Sequence, residues 1–130
     1  MARIVAGAFA GAVAWLAIVT VFNLGLRYGW HDYAAVEKAM TFTVPMMVAR
    51  LCESGISSIL SGAVAVLVAR DRRAAWIAGL LWLLLFLPVH YSVWNRFPVW
   101  YHLTFLTSLI VLSVLGGYLV RPRRRMFQAA

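Results

Sequence analysis

The sequence predicts an all-α integral membrane bundle of four transmembrane helices, and three observations carry that expectation. Of 130 residues, 64% are apolar or aromatic and only 12% are charged, against roughly half and a quarter in an ordinary soluble domain. Four stretches are long enough to cross a hydrocarbon core, which takes about 20 helical residues at 1.5 Å each. The basic residues gather at the ends of those stretches. Despite the net charge of +8, that is the pattern of topology anchors and not of a nucleic-acid-binding face.

The expected spans are residues 4–26, 44–69, 74–94 and 99–120, forming one domain over residues 1–130. The first, third and fourth contain no Asp, Glu, Lys or Arg. The first resembles a secretory signal, with Arg3 ahead of an apolar run and Ala8-Phe9-Ala10 as a cleavage-like box, but the run continues past the usual 7–15 residues. It is expected to remain as a helix. Orientation follows from the arginines and lysines in the short connections. Arg3, Arg70, Arg72, Arg73, Arg121, Arg123, Arg124 and Arg125 fall on one side, and Arg27, Lys38 and Arg96 on the other. Eight against three puts both termini in the cytoplasm, most simply at a bacterial inner membrane. The tail arginines also suit anionic headgroups.

The two outer connections are aromatic. Tyr28, Trp30 and Tyr33 flank the first, and Tyr91, Trp94, Phe97, Trp100 and Tyr101 surround the second, as in an interfacial belt. Within the first, a short interfacial helix is expected from Tyr33 to Met40, capped by Asp32, with Ala34, Ala35, Val36 and Ala39 as a weak apolar face.

Chemistry concentrates in the second span. Arg50 and Glu53 lie three residues apart inside it, and Glu53, Ser57, Arg50, Ser61, Ser54 and Ser58 share an arc of roughly 140°. An ionisable group at the bilayer centre costs about 2.5–3.5 kcal/mol on insertion scales, so the arc must turn into the bundle or toward a partner. The spacing suits a mutual Arg50–Glu53 ion pair, or a polar pocket in the outer half. Asn23, near the outer end of the first helix, is placed to hydrogen-bond either residue. Gly7 and Gly11 form a small-residue face on the first helix, and Ser58 and Gly62 repeat the spacing on the second, so those two faces are expected to meet.

His90 and His102 each lie about five residues from the turn Asn95-Arg96-Phe97-Pro98, at similar depth on adjacent antiparallel helices. That suits two axial ligands of a b-type haem, a quinone site, or two interfacial histidines. One cysteine, Cys52, excludes an internal disulfide, a Cys-based zinc site and a CxxC redox pair. No nucleophile–base–acid grouping, P-loop, GxGxxG or HExxH motif is present, so no catalytic residue, metal site or enzyme activity is expected.

Three functions remain open on the sequence. The first is an accessory or assembly subunit, or a lipid- or partner-binding module, using the outer polar pocket. The second is an oligomeric proton- or ion-coupled transporter or channel using Glu53 and Arg50. The third is a haem- or quinone-binding redox subunit using His90 and His102. The expected partners are membrane lipids and another membrane protein or a second copy, with no nucleic acid.

Overall fold

The computed structural model describes residues 1–121. Arg123, Arg124 and Arg125, expected as topology anchors, lie outside the described residues. Four helices are long and apolar enough to cross a membrane: α1 (Ala2–Gly29), α3 (Val44–Ala69), α4 (Arg73–Ser92) and α5 (Val99–Leu119). A short helix α2 (His31–Val36) lies between the first two, and a 3-10 turn at Trp94–Arg96 joins the last two.

Each boundary has a local cause. α1 runs on until Trp30 turns to extended backbone, where its N–H still bonds the Leu26 carbonyl at 3.0 Å. α2 starts two residues earlier than expected and stops four earlier. Asp32 sits in its first turn and does not cap it; Trp30 holds the cap position with no side-chain bond. The chain then turns at Met40, a left-handed residue whose N–H bonds the Glu37 carbonyl at 3.2 Å. Pro45 occupies the first turn of α3, where a missing N–H costs nothing. The other end of α3 closes on left-handed Arg70, whose N–H reaches the Val66 carbonyl at 2.7 Å, a C-terminal arrangement usually given to glycine. Asp71 opens α4 by accepting the Arg73 N–H at 2.9 Å. α4 ends at Ser92, two residues before the expected limit, because the chain tightens into the Trp94–Arg96 turn.

The contacts fix the helix directions. Gly7 lies on Ala65 and Ala69, and Gly11 on Ser61, so α1 and α3 are antiparallel. His90 meets His102 and Ala75 meets Gly117, so α4 and α5 are antiparallel as well. α3 is the central helix, packing on α1, α4 and α5. One end of the bundle carries Tyr33, Phe42, Trp94, Phe97 and Tyr101 and is called the aromatic end below; the other carries Arg70, Arg72 and Arg73 and is the basic end.

Small residues draw the helices together toward the basic end, though not in the pairing expected. A Cβ on Gly11 would lie 2.7 Å from the Ser61 carbonyl oxygen, and Ser61 Oγ donates to the Gly11 carbonyl at 2.7 Å. The α1 glycines therefore meet Ser61, Ala65 and Ala69, not Ser58 and Gly62. Gly62 instead abuts the Ser113 backbone, while Gly116 abuts the Ile59 backbone. The reason is that α3 carries small residues on two faces, and each face serves a different neighbour. Above these seams Trp15 fills the centre, 4.3 Å from Trp82 and 5.4 Å from Phe86 between ring centroids. Its indole N–H donates to Ser58 Oγ at 3.0 Å.

The perimeter is apolar. Val5, Phe9, Val13 and Leu16 on α1, Leu84 and Leu85 on α4, and Leu103 and Val111 on α5 are all exposed. In water such a surface would drive aggregation; against acyl chains it is the solvated face, and helical spans satisfy their backbone polar groups internally, save where Pro88 inside α4 supplies no N–H to the turn before it.

A candidate ligand cavity at the aromatic end

The polar arc of α3 turns inward. Glu53 is 6% exposed, and Ser54, Ser57, Ser58 and Ser61 are buried. Three of these serines are already engaged: Ser57 donates to the Glu53 carbonyl at 2.7 Å, Ser58 to the Ser54 carbonyl at 2.8 Å, and Ser61 to α1. Ser54 Oγ is buried with no partner.

The Arg50–Glu53 ion pair suggested by the spacing is absent among the described residues. Arg50 instead donates from Nη1 to the Tyr33 hydroxyl at 2.7 Å and from Nε to the Tyr101 hydroxyl at 3.2 Å. Its guanidinium also lies 4.8 Å from the Phe42 ring centroid. Helical side chains lean toward the N-terminus of their helix, which for α3 is the aromatic end, and two phenols wait there. Glu53 is left one turn, about 4.5 Å, below Arg50 along the helix. It has no ionic partner among the described residues, and its Oε2 is buried without a hydrogen bond. Asn23 of α1 lines the same cavity as this carboxylate.

These residues share a cavity of about 380 Å³. Its aromatic floor is Trp15, Trp82, Phe86 and Phe105, and Asn23, Arg50, Glu53 and Ser54 supply most of the polar wall. The α1 rim of Leu16, Thr20, Leu24 and Arg27 is exposed on the bundle's flank. Three buried side-chain polar atoms lack partners among the described residues, namely Glu53 Oε2, Ser54 Oγ and Trp82 Nε1. All three residues line this one cavity. Buried polar groups are nearly always hydrogen-bonded, and leaving one unmade costs about 1–3 kcal/mol. Three such groups around a single space mark a place for polar matter.

Trp15 and Trp82 are the members that sequence reasoning passed over. Tryptophan prefers the membrane interface, where its N–H meets water. Two tryptophans at mid-span were the signal that an internal polar partner had to exist.

The histidines form something other than a metal pair. His90 Nδ1 and His102 Nδ1 are 2.8 Å apart, and His102 Nε2 lies 3.1 Å from the Trp94 carbonyl. A carbonyl only accepts, so His102 carries a proton on Nε2; with both rings neutral, His90 Nδ1–H then donates to the bare His102 Nδ1. As the rings stand, two nitrogens in direct hydrogen-bond contact leave no space between them for an iron, so this arrangement is a histidine pair and not a set of opposed axial ligands. His90 stacks on Phe105 at 4.6 Å and His102 on Trp94 at 4.5 Å. Together they clasp the α4–α5 turn.

At the mouth, Arg27 holds Glu37 through Nε and Nη2, each at 2.8 Å, and so ties the α2–α3 connection to the end of α1. The hydrogen bond from Arg27 holds the Glu37 carboxyl below its ordinary value of 4.5, against a smaller opposing effect of burial. A carboxylate lowered on folding contributes order above its unfolded value and loses it as pH falls through the folded value. The connection is therefore expected to stay closed at pH values above the ordinary 4.5 and to loosen as the pH falls below it. Pepsin cleavage within residues 30–43, compared at each pH with the Glu37→Gln variant, reads this out. An unchanged difference between the two chains down to pH 2 would remove the bridge from the account.

The fold and the inward polar wall define the class: this is an integral membrane protein, a helical bundle with a polar cavity among its helices. Comparison with known proteins gives no matching family model, no similar curated protein and no similar solved structure, so what the cavity takes must be read from its own residues.

Proposed function

We propose that the protein is a non-enzymatic membrane module that binds a lipid-like amphiphile in the cavity at the aromatic end and presents it, or the filled bundle, to another membrane protein. In this reading both termini are cytoplasmic in a bacterial inner membrane, the aromatic end faces outward, and α2 lies at the membrane interface. The observation that carries the reading is the convergence of Glu53, Ser54 and Trp82, each with an unpartnered polar atom, on a space with an aromatic floor and a rim exposed on the bundle's flank. Such a space suits a molecule with a polar head and an apolar body.

A continuous ion path is less well supported. Below the cavity, Ser57, Ser58 and Ser61 are engaged, and Gly7 and Gly11 close α1 tightly onto α3, where Ser61 is already bonded to the Gly11 carbonyl.

The test is intact-complex mass spectrometry of the chain released from membranes in mild detergent. The expected spectrum shows the chain with one lipid mass retained, and loss of that adduct in Trp82→Phe. A chain that flies bare under all mild detergents, and again after reconstitution and re-extraction, would overturn the reading.

A further inference from the structure

The cavity's charges say more about the head it would hold. Arg50 uses Nε and Nη1 on two neutral phenols, and Arg27 uses Nε and Nη2 on Glu37. Each guanidinium therefore keeps one nitrogen, Nη2 of Arg50 and Nη1 of Arg27, without a partner among the described residues. Glu53, a turn deeper than Arg50, offers a carboxylate with no cation on it. The cavity thus presents donors carrying positive charge at the mouth and an acceptor carrying negative charge below. Trp82 Nε1, a donor only, and Ser54 Oγ lie unpartnered further in. A purely anionic head would match the arginines and meet Glu53 with like charge. A purely cationic head would match Glu53 and meet the arginines the same way.

Resting on the amphiphile-binding reading above, we propose that the cavity takes the head of a zwitterionic aminophospholipid of the phosphatidylethanolamine type, its ammonium on Glu53 and its phosphate toward Arg50 and Arg27. The ammonium supplies the N–H donors that the Glu53 carboxylate lacks, and charge-assisted bonds of that kind are the strong ones in a dry site. Phosphate is the acceptor that a planar guanidinium fork fits. Arg50 reaches the level of Tyr33 and Tyr101 in the aromatic belt, so the phosphate stays near its usual depth and the ammonium bends inward by about one helical turn. The acyl chains leave over the exposed Leu16 and Leu24 rim. A soluble phosphoethanolamine would leave the aromatic floor of Trp15, Trp82, Phe86 and Phe105 uncovered, which is why the lipid and not the free head is the ligand assigned.

Reconstitution with equal amounts of phosphatidylethanolamine, phosphatidylcholine and phosphatidylglycerol of matched chains, followed by intact-complex mass spectrometry, tests this. Phosphatidylcholine keeps the positive charge and removes the N–H donors; phosphatidylglycerol keeps hydroxyl donors and removes the positive charge. Phosphatidylethanolamine is expected to be retained over both by about tenfold, the scale of one charge-assisted hydrogen bond. Glu53→Gln is expected to erase that preference while still retaining lipid, and soluble glycerophosphoethanolamine is expected not to displace the lipid. Equal retention of the three lipids, or preference for phosphatidylglycerol, would overturn the head assignment and leave amphiphile binding standing. Displacement by the soluble head would overturn the lipid assignment. No retention of any lipid would overturn both this proposal and the reading beneath it. Because Glu53→Gln removes a buried group and its folding is at risk, Arg27→Lys at the exposed rim serves as a second variant: it keeps a cation on Glu37 but loses the guanidinium nitrogen left for phosphate. It is expected to lower phosphatidylethanolamine retention with hydrogen exchange of residues 30–43 unchanged; undiminished retention would remove Arg27 from the head site.

Discussion

Gly116→Leu is expected to break the native contact between α3 and α5 and to lower the melting temperature by more than an ordinary overpacking change does. A Cβ at Gly116 would run into the Ile59 carbonyl, and a Cβ at Gly62 into that of Ser113, so the two helices approach backbone to backbone. A flexible side chain can move aside; a helical carbonyl cannot without shifting its helix. Ordinary overpacking costs about 1–3 kcal/mol, and three further carbons behind a backbone clash should exceed that range. The matched control is Gly25→Leu. A Cβ there meets nothing within 4 Å, and replacing an open helical glycine gains up to about 1 kcal/mol of propensity. Tryptophan fluorescence on heating in detergent reads both variants. Equal melting temperatures for the two would mean that α3 and α5 do not cross at these glycines.

Arg50→Met is expected to release the connection between α1 and α3 while leaving the rest of the bundle folded. Helix α2 has six residues and no side-chain cap, so little of its order is its own. It is held by Tyr33, fully buried, whose hydroxyl accepts from Arg50 and whose ring stacks on Phe42 at 5.2 Å. Hydrogen bonds to a charged group contribute about 1.5–3 kcal/mol each. Losing the bond to Tyr33 should raise local opening by about ten- to a hundredfold. Hydrogen exchange of the amides in residues 31–42 is the measurement, with α4 and α5 unchanged. Arg50→Lys keeps the charge but cannot fork between two phenols, so its exchange should fall between wild type and Met. Exchange in Arg50→Met no faster than in wild type would show that α2 is held by other means.

What the sequence disclosed follows from what is local. Length and apolarity locate four spanning helices, three of them free of charge, because each depends only on its own residues and on the width of a bilayer. Glu53, Ser57 and Ser61 were recognisable as an inward arc because the helical repeat alone places them on one side. The partner of Arg50 was not recognisable. Its spacing to Glu53 is local, but the phenols that win come from α2 and from the start of α5, 17 and 51 residues away in the chain. The same holds for Gly62, which sits on a helix with small residues on two faces and could serve either neighbour until the crossing was known. His90 and His102 were correctly set at one depth by their distance from the turn, but the 2.8 Å between them depends on ring rotations that no spacing encodes.

The taper of the bundle has a mechanical consequence. Near the basic end α1 is clamped at Gly7 and Gly11 against α3, whereas around Asn23 and Arg27 it borders open space. From Gly11 to Arg27 the helix is a lever of about 24 Å. A tilt of roughly 5° about the clamp swings its far tip by about 2 Å. On the amphiphile-binding proposal this is the geometry of tweezers with a welded base, whose far tip is sprung by the Arg27–Glu37 bridge to the α2–α3 connection.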